Sequence, residues 1–135
     1  KKAEGDAADI NHGVSFAKPC FVRAGDYADL ACCGLIIIAA GANQKPGETR
    51  IELLSRNRVI LSSILTQLTA VNQDAVLLIV SNPVDVLTCM AQQLSGFPVG
   101  HVIGSGTVLD TARLKYLVGQ KLGVYSRNVH AFIIG

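Results

Sequence analysis

Three short runs of the chain are almost continuously apolar and rich in Ile and Val: residues 35–40 (LIIIAA), 75–80 (AVLLIV) and 129–134 (VHAFII). A strand buried on both faces of a parallel sheet meets water on neither side, so it reads as such a run instead of alternating. Between the first two lies the segment 48–72, in which Ile51, Leu54, Leu61, Ile64, Leu65, Leu68 and Val71 recur at helical spacing. That spacing predicts an amphipathic helix. Residues 84–94, entered through Asn82-Pro83, and 107–122, closed by Gly123, are predicted as further helices, and His101 begins another strand that ends at Gly104. Strands alternating with helices give an α/β class built of right-handed βαβ units.

A chain of 135 residues fits one domain of ordinary size. Its charged share is 16%, against about 25% in a typical soluble domain, and its hydrophobic share is 50%. The surplus apolar surface calls for a sheet covered on both faces, or for contact with further chain segments or subunits. The longest apolar stretch, 30–42, is shorter than the roughly 20 residues of a membrane-spanning helix, so no membrane partner is expected. Net charge is only +2, and no basic stripe is interleaved with aromatics, which argues against nucleic acid. Cys20, Cys32, Cys33 and Cys89 show no C-x-x-C spacing. They are expected to be reduced thiols buried as small hydrophobes, in a cytoplasmic protein with no metal site.

In an open parallel sheet a ligand sits at the carboxyl ends of the strands. Here those ends read Ala40-Gly41-Ala42-Asn43, Ser81-Asn82-Pro83 and Gly104-Ser105-Gly106, all small or polar. The loop from Gly41 to Thr49 leaves the first strand and delivers Arg50 to the start of the long helix. A guanidinium there can close over an anion or polarise a carbonyl, or simply be solvated. Asp110 and Arg113 stand three apart near a helix start, so their side chains share a face. They form either a local ion pair or a carboxylate-binding Arg beside an Asp that orients a histidine. Asn82 offers both a donor and an acceptor toward the crevice, or serves as turn chemistry before Pro83.

Taken together, GANQKPGETR, SNPVDVLT and GSGTVLDTARLKYLVG resemble, in order and spacing, the L-lactate dehydrogenases of the lactate/malate dehydrogenase family. KAEGDAADINHG and NVHAFIIG extend the resemblance over essentially the whole chain. The resemblance implies the C-terminal part of a Rossmann-type NAD-binding domain, its parallel sheet incomplete, over residues 1–104, then the start of a mixed α/β substrate domain over 105–135. It implies hydride transfer between NADH and the C2 carbonyl of pyruvate, giving L-lactate. Arg50 would polarise the carbonyl, Arg113 would bind the substrate carboxylate and Asp110 would hold a catalytic imidazole in its charged form. Asn82 would face the reacting oxygen and the nicotinamide; Gly41, Ala42 and Ser105 would line the cofactor, with Tyr27 and Ser63 as weaker contacts.

Gln44 stands where malate dehydrogenases place an arginine, so a lactate enzyme is expected, with a malate enzyme or a noncatalytic binding module as alternatives. By the same resemblance His130 and Lys115 would contact fructose 1,6-bisphosphate, and the protein would be a cytoplasmic homotetramer of glycolysis and pyruvate fermentation. The family's glycine-rich turn and its catalytic histidine have no match here. The chain is therefore expected to be an incomplete segment, inactive by itself.

Overall fold

The computed structural model describes residues 1–14 and 16–134. Four helices, α1 (Lys2–Val14), α2 (Arg50–Thr69), α3 (Val84–Ser95) and α4 (Val108–Leu122), accompany three strands, β1 (Leu35–Ile38), β2 (Val76–Ile79) and β3 (Val102–Gly104). The strands form one parallel sheet in the order β1-β2-β3, with Ile37 opposite Leu78 and Leu78 opposite Ile103. This is the α/β arrangement that the apolar runs and the helical periodicity predict. Short 3-10 turns lie at Tyr27–Cys32 and Ser126–Asn128.

The long helix starts where its capping chemistry dictates. The Glu52 amide donates to Thr49 Oγ1 at 3.3 Å, while Glu52 Oε2 accepts from the Thr49 amide at 2.8 Å. Two helix-end donors are thus satisfied reciprocally. The same bonds hold the Glu52 carboxyl below its ordinary value, the Thr49 amide contributing most and its hydroxyl next. Leu61, Leu65 and Leu68 of α2 are buried against Ile36 and Ile38 of β1 and Leu77 and Ile79 of β2, with Leu87 and Ala91 of α3 completing the cluster. Each fully buried Leu or Ile contributes about 1.5–3 kcal/mol, so this interface accounts for most of what holds α2 and α3 to the sheet. Gly96 and Gly123, at φ 70° and 67°, end α3 and α4 in the left-handed conformation that residues with a Cβ rarely adopt.

Three expectations are corrected. Residues 129–134 form no strand: this segment runs along the start of α4, where Thr107 Oγ1 donates to the Ile133 carbonyl at 2.5 Å and the Ile133 amide donates to Thr111 Oγ1 at 3.0 Å. Both main-chain groups of Ile133 are bonded to helix side chains, and no strand lies beside the segment among the described residues. The cysteines are not buried. Cys20, Cys32 and Cys89 are exposed and Cys33 is half-buried; Cys89 falls on the face of α3 opposite Leu87 and Ala91. The sheet is covered on one face only: Leu35, Ile37 and Ile103 on the other are about half exposed. The surplus apolar residues are thus left open along this face. Helix α1, by contrast, carries too few apolar residues for periodicity to reveal it, and Ala7 is its one buried residue.

Candidate active site at the carboxyl ends of the strands

Parallel register places every strand's carboxyl end on the same edge of the sheet. The Val80 amide donates to the Ile38 carbonyl at 3.0 Å and the Ser105 amide to the Ile79 carbonyl at 2.9 Å, so all three strand exits are joined by main-chain bonds. Ser81, buried, donates its hydroxyl to the Ala40 carbonyl at 2.6 Å. A buried amide on α2 completes the clasp. Asn57, 3% exposed, accepts the Ala42 amide at Oδ1 (2.8 Å) and donates Nδ2 to the Asn82 carbonyl (3.5 Å). Gly41, Ala42, Asn82 and Ser105 are thereby gathered at one edge.

That edge suits a flat, polar cofactor. A Cβ added at Gly41 would meet nothing closer than Asn57 Oδ1 at 3.6 Å, so internal packing does not require glycine there. Its bare main chain leaves room for a ligand to approach closely. The Asn82 side chain is exposed, and Ser105 is half-buried.

The loop beyond Ala42 is bonded to itself and to α2. Gln44 Nε2 donates to the Glu48 carbonyl at 2.7 Å, and the Lys45 amide donates to Glu48 Oε2 at 2.8 Å. Arg56 Nε lies 2.9 Å from Glu48 Oε1, although its N–H is not aimed at that oxygen, and Arg56 Nη2 donates to the Asn43 carbonyl at 2.8 Å. Arg50, the first residue of α2, is exposed and in solvent.

Asp110 and Arg113 occupy the first two turns of α4 as a 3.4 Å ion pair, both more than half exposed. The local pair is therefore formed, and among the described residues no hydrogen bond or ion pair joins it to Gln44, Arg50 or Asn82. Helix α4 packs chiefly on the Ser126–Asn128 turn. Thr107 and Thr111 tie Ile133 to the helix start, one residue to either side of the stretch that carries Asp110. Lys115 is half-buried on α4 and His130 is exposed.

Tyr27 is half-buried and lines a groove with Arg23, Asp29, Leu30 and Cys33, which Ser63 does not line. In that groove Arg23 Nη2 donates to Asp29 at 2.6 Å. The Asp29 carboxyl is held below its ordinary value by this bond first and by the Asp26 amide second. Among the described residues no group of three or more His, Cys, Asp or Glu side chains could hold a metal.

Asn57, Thr107, Thr111 and Arg56 are the residues that reading by motif leaves out. For Asn57 a signal exists: it lies three residues after Leu54 and four before Leu61, a polar side chain on the apolar stripe of its helix. Asn57→Ala would leave two main-chain groups without their partner. It should cost about 1–3 kcal/mol in urea unfolding and speed exchange of the Ala42 amide, whereas an unchanged Ala42 amide would remove the clasp.

Residues 1–104 match the family described as lactate/malate dehydrogenase, NAD binding domain. The L-lactate dehydrogenase of Acetivibrio thermocellus is 53% identical over 135 residues, all of this chain and 43% of its own length. That of Priestia megaterium is 51% identical, again over the whole chain and 42% of its length. Among solved structures, a lactate dehydrogenase from a Medee basin deep-sea metagenome library superposes with a TM-score of 0.89 at 50% identity, over 99% of this chain and 43% of that one. The malate dehydrogenase of Picrophilus torridus superposes with a TM-score of 0.90 at 30% identity, over 98% and 43%. The chain thus spans less than half the length of the curated relatives it matches. On the match across residues 1–104, this chain belongs to the lactate/malate dehydrogenase family, with those residues falling in its NAD-binding, Rossmann-like domain.

Proposed function

We propose that this chain belongs to an NAD-dependent L-lactate dehydrogenase and carries its cofactor edge and much of its substrate contact. The observation that carries this reading is that the strand-end cluster of Gly41, Ala42, Asn82 and Ser105 runs directly into a loop bearing the uncharged Gln44. NADH, when bound, supplies the hydride. Gly41, Ala42 and Ser105 line the cofactor, with Tyr27 and Ser63 as outer contacts, and Asn82 orients the reacting oxygen. Arg50 polarises the carbonyl of pyruvate and Arg113 takes its carboxylate in two parallel hydrogen bonds. Asp110 holds the imidazole that moves the proton. For the last two roles the 3.4 Å Asp110–Arg113 pair must open, and its exposure makes that inexpensive. Residues 105–135 begin the substrate domain, where Thr107 and Thr111 already fasten Ile133 beside Asp110.

Gln44 favours pyruvate over oxaloacetate because it offers no charge to a second carboxylate, and burying that carboxylate unpaired costs several kcal/mol by order of magnitude. The relatives near 50% identity carry the name L-lactate dehydrogenase, while the malate dehydrogenase of Picrophilus torridus stands at 30%. A cytoplasmic homotetramer acting in glycolysis and pyruvate fermentation belongs to the same reading; no helix of the described residues is long and apolar enough to cross a membrane. Lys115 and His130 are its contacts for fructose 1,6-bisphosphate, a role that an unchanged pyruvate saturation curve on adding the bisphosphate would remove.

A hybrid tests the reading. Residues 1–135 replace the matching stretch of the Acetivibrio thermocellus enzyme, and NADH absorbance is followed with each oxo acid. Rapid oxidation with pyruvate and little with oxaloacetate is expected, and Gln44→Arg should move the preference toward oxaloacetate by about tenfold or more. A hybrid that prefers oxaloacetate, or whose pyruvate preference survives Gln44→Arg, would contradict the proposal.

A further inference from the structure

The roles given to Gln44 and Arg50 leave open what holds the loop between them in place. That loop contains Pro46 and Gly47, the latter at φ 78°, and its turn tip is exposed, a composition that by itself would leave many conformations open. Yet the Glu48 side chain is only 9% exposed. Its carboxylate accepts the Lys45 amide at 2.8 Å and Arg56 Nη2 at 3.3 Å, and Arg56 Nε lies 2.9 Å from it as an ion-pair contact. Its main-chain carbonyl receives Gln44 Nε2 at 2.7 Å, and Arg56 Nη2 reaches past it to the Asn43 carbonyl at 2.8 Å. Residues 43, 44 and 45 are therefore each bonded to Glu48 or Arg56. Arg56 is rooted almost two turns inside α2, one residue before the clasp Asn57.

A surface pair of neighbours on one helix would be a solvated ornament worth little. This pair differs in three respects. Its members are eight residues apart, one in the loop and one in the helix; the carboxylate is nearly removed from water; and the guanidinium also bonds the loop's main chain. A charge so shielded needs its partner, so the loop conformation and the ion pair stand or fall together.

We propose that Glu48 and Arg56 are positioning residues for substrate selection. The pair fixes the loop on α2 so that Gln44 is held at a set distance and orientation from Arg50, and it thereby sets the preference for pyruvate over a dicarboxylic 2-oxo acid. This rests on the dehydrogenase reading above.

In the hybrid enzyme, Glu48→Gln, Arg56→Gln and the double variant are compared by kcat/KM per NADH-binding site with pyruvate and with oxaloacetate. Each single variant should lose about 10- to 100-fold with pyruvate, chiefly through KM, and should lose much of the discrimination. The double variant should be no worse than the worse single one, because one interaction is removed twice. NADH affinity should be unchanged, since Asn57 still holds Ala42. A merely structural pair would lower the fraction of NADH-binding enzyme while leaving pyruvate KM and the pyruvate-to-oxaloacetate ratio per site intact; that result, or additive losses, would overturn the proposal. Amide exchange at Lys45 gives a readout independent of turnover: acceleration in both single variants supports the anchor, and unchanged exchange overturns it. An unsubstituted hybrid without pyruvate activity would instead overturn the dehydrogenase reading, and the selection role with it.

Discussion

Position at the candidate site depends on a buried side-chain amide. Apolar burial supplies the stability: Leu65, Leu68, Leu77, Ile79 and Leu87 are fully buried, each contributing about 1.5–3 kcal/mol. That force is non-directional and would tolerate α2 sliding over the sheet. Asn57 does not, because its oxygen and nitrogen must meet the Ala42 amide and the Asn82 carbonyl together. A formed hydrogen bond adds only about 1 kcal/mol net, but a buried group left without one costs more, so misplacement is what the clasp penalises. Asn72 does the same at the opposite edge, donating to the Leu30 and Cys33 carbonyls and accepting the Asp74 and Ala75 amides. One helix with its following turn thus pins both ends of the same two strands.

The described chain divides the site into a fixed half and a half held more loosely. Strand exits, Ser81 and Asn57 form a bonded edge, continuous through Glu48 and Arg56 with the loop. Helix α4, with Asp110 and Arg113, is fastened to Ser126–Asn128 and Ile133 instead of the sheet. Its Val108, Leu109, Tyr116, Leu117 and Leu122 are exposed, as are Leu35, Ile37 and Ile103 on the open face of the sheet. The chain spans about 43% of its relative's length, and apolar surface is open at these two places among others.

Much of this was legible in the order of residues. Near-continuous apolar runs identify β1 and β2, although only one face of each is buried here, and the Leu61-Leu65-Leu68 stripe identifies α2. The run at 129–134 misled by the same logic: apolar residues also serve an irregular segment tied to a helix through threonine hydroxyls at Ile133, and composition does not distinguish the two. Motif reading supplied the proposed substrate and cofactor contacts. It missed Asn57, Arg56, Thr107 and Thr111, whose main-chain partners lie 13 to 26 positions away, and such pairings become visible only once the chain has folded.

The claim on which the rest turns is that the carboxyl-end edge, held by Asn57, receives the cofactor. Hydrogen exchange followed by mass spectrometry on the hybrid, with and without NADH, addresses it most directly. Slower exchange in peptides covering residues 40–44, 81–84 and 104–107, with peptides 72–75 and 96–101 at the opposite edge unaltered, is the predicted result. Protection at the opposite edge, or none at the three strand exits while NADH is bound, would contradict it.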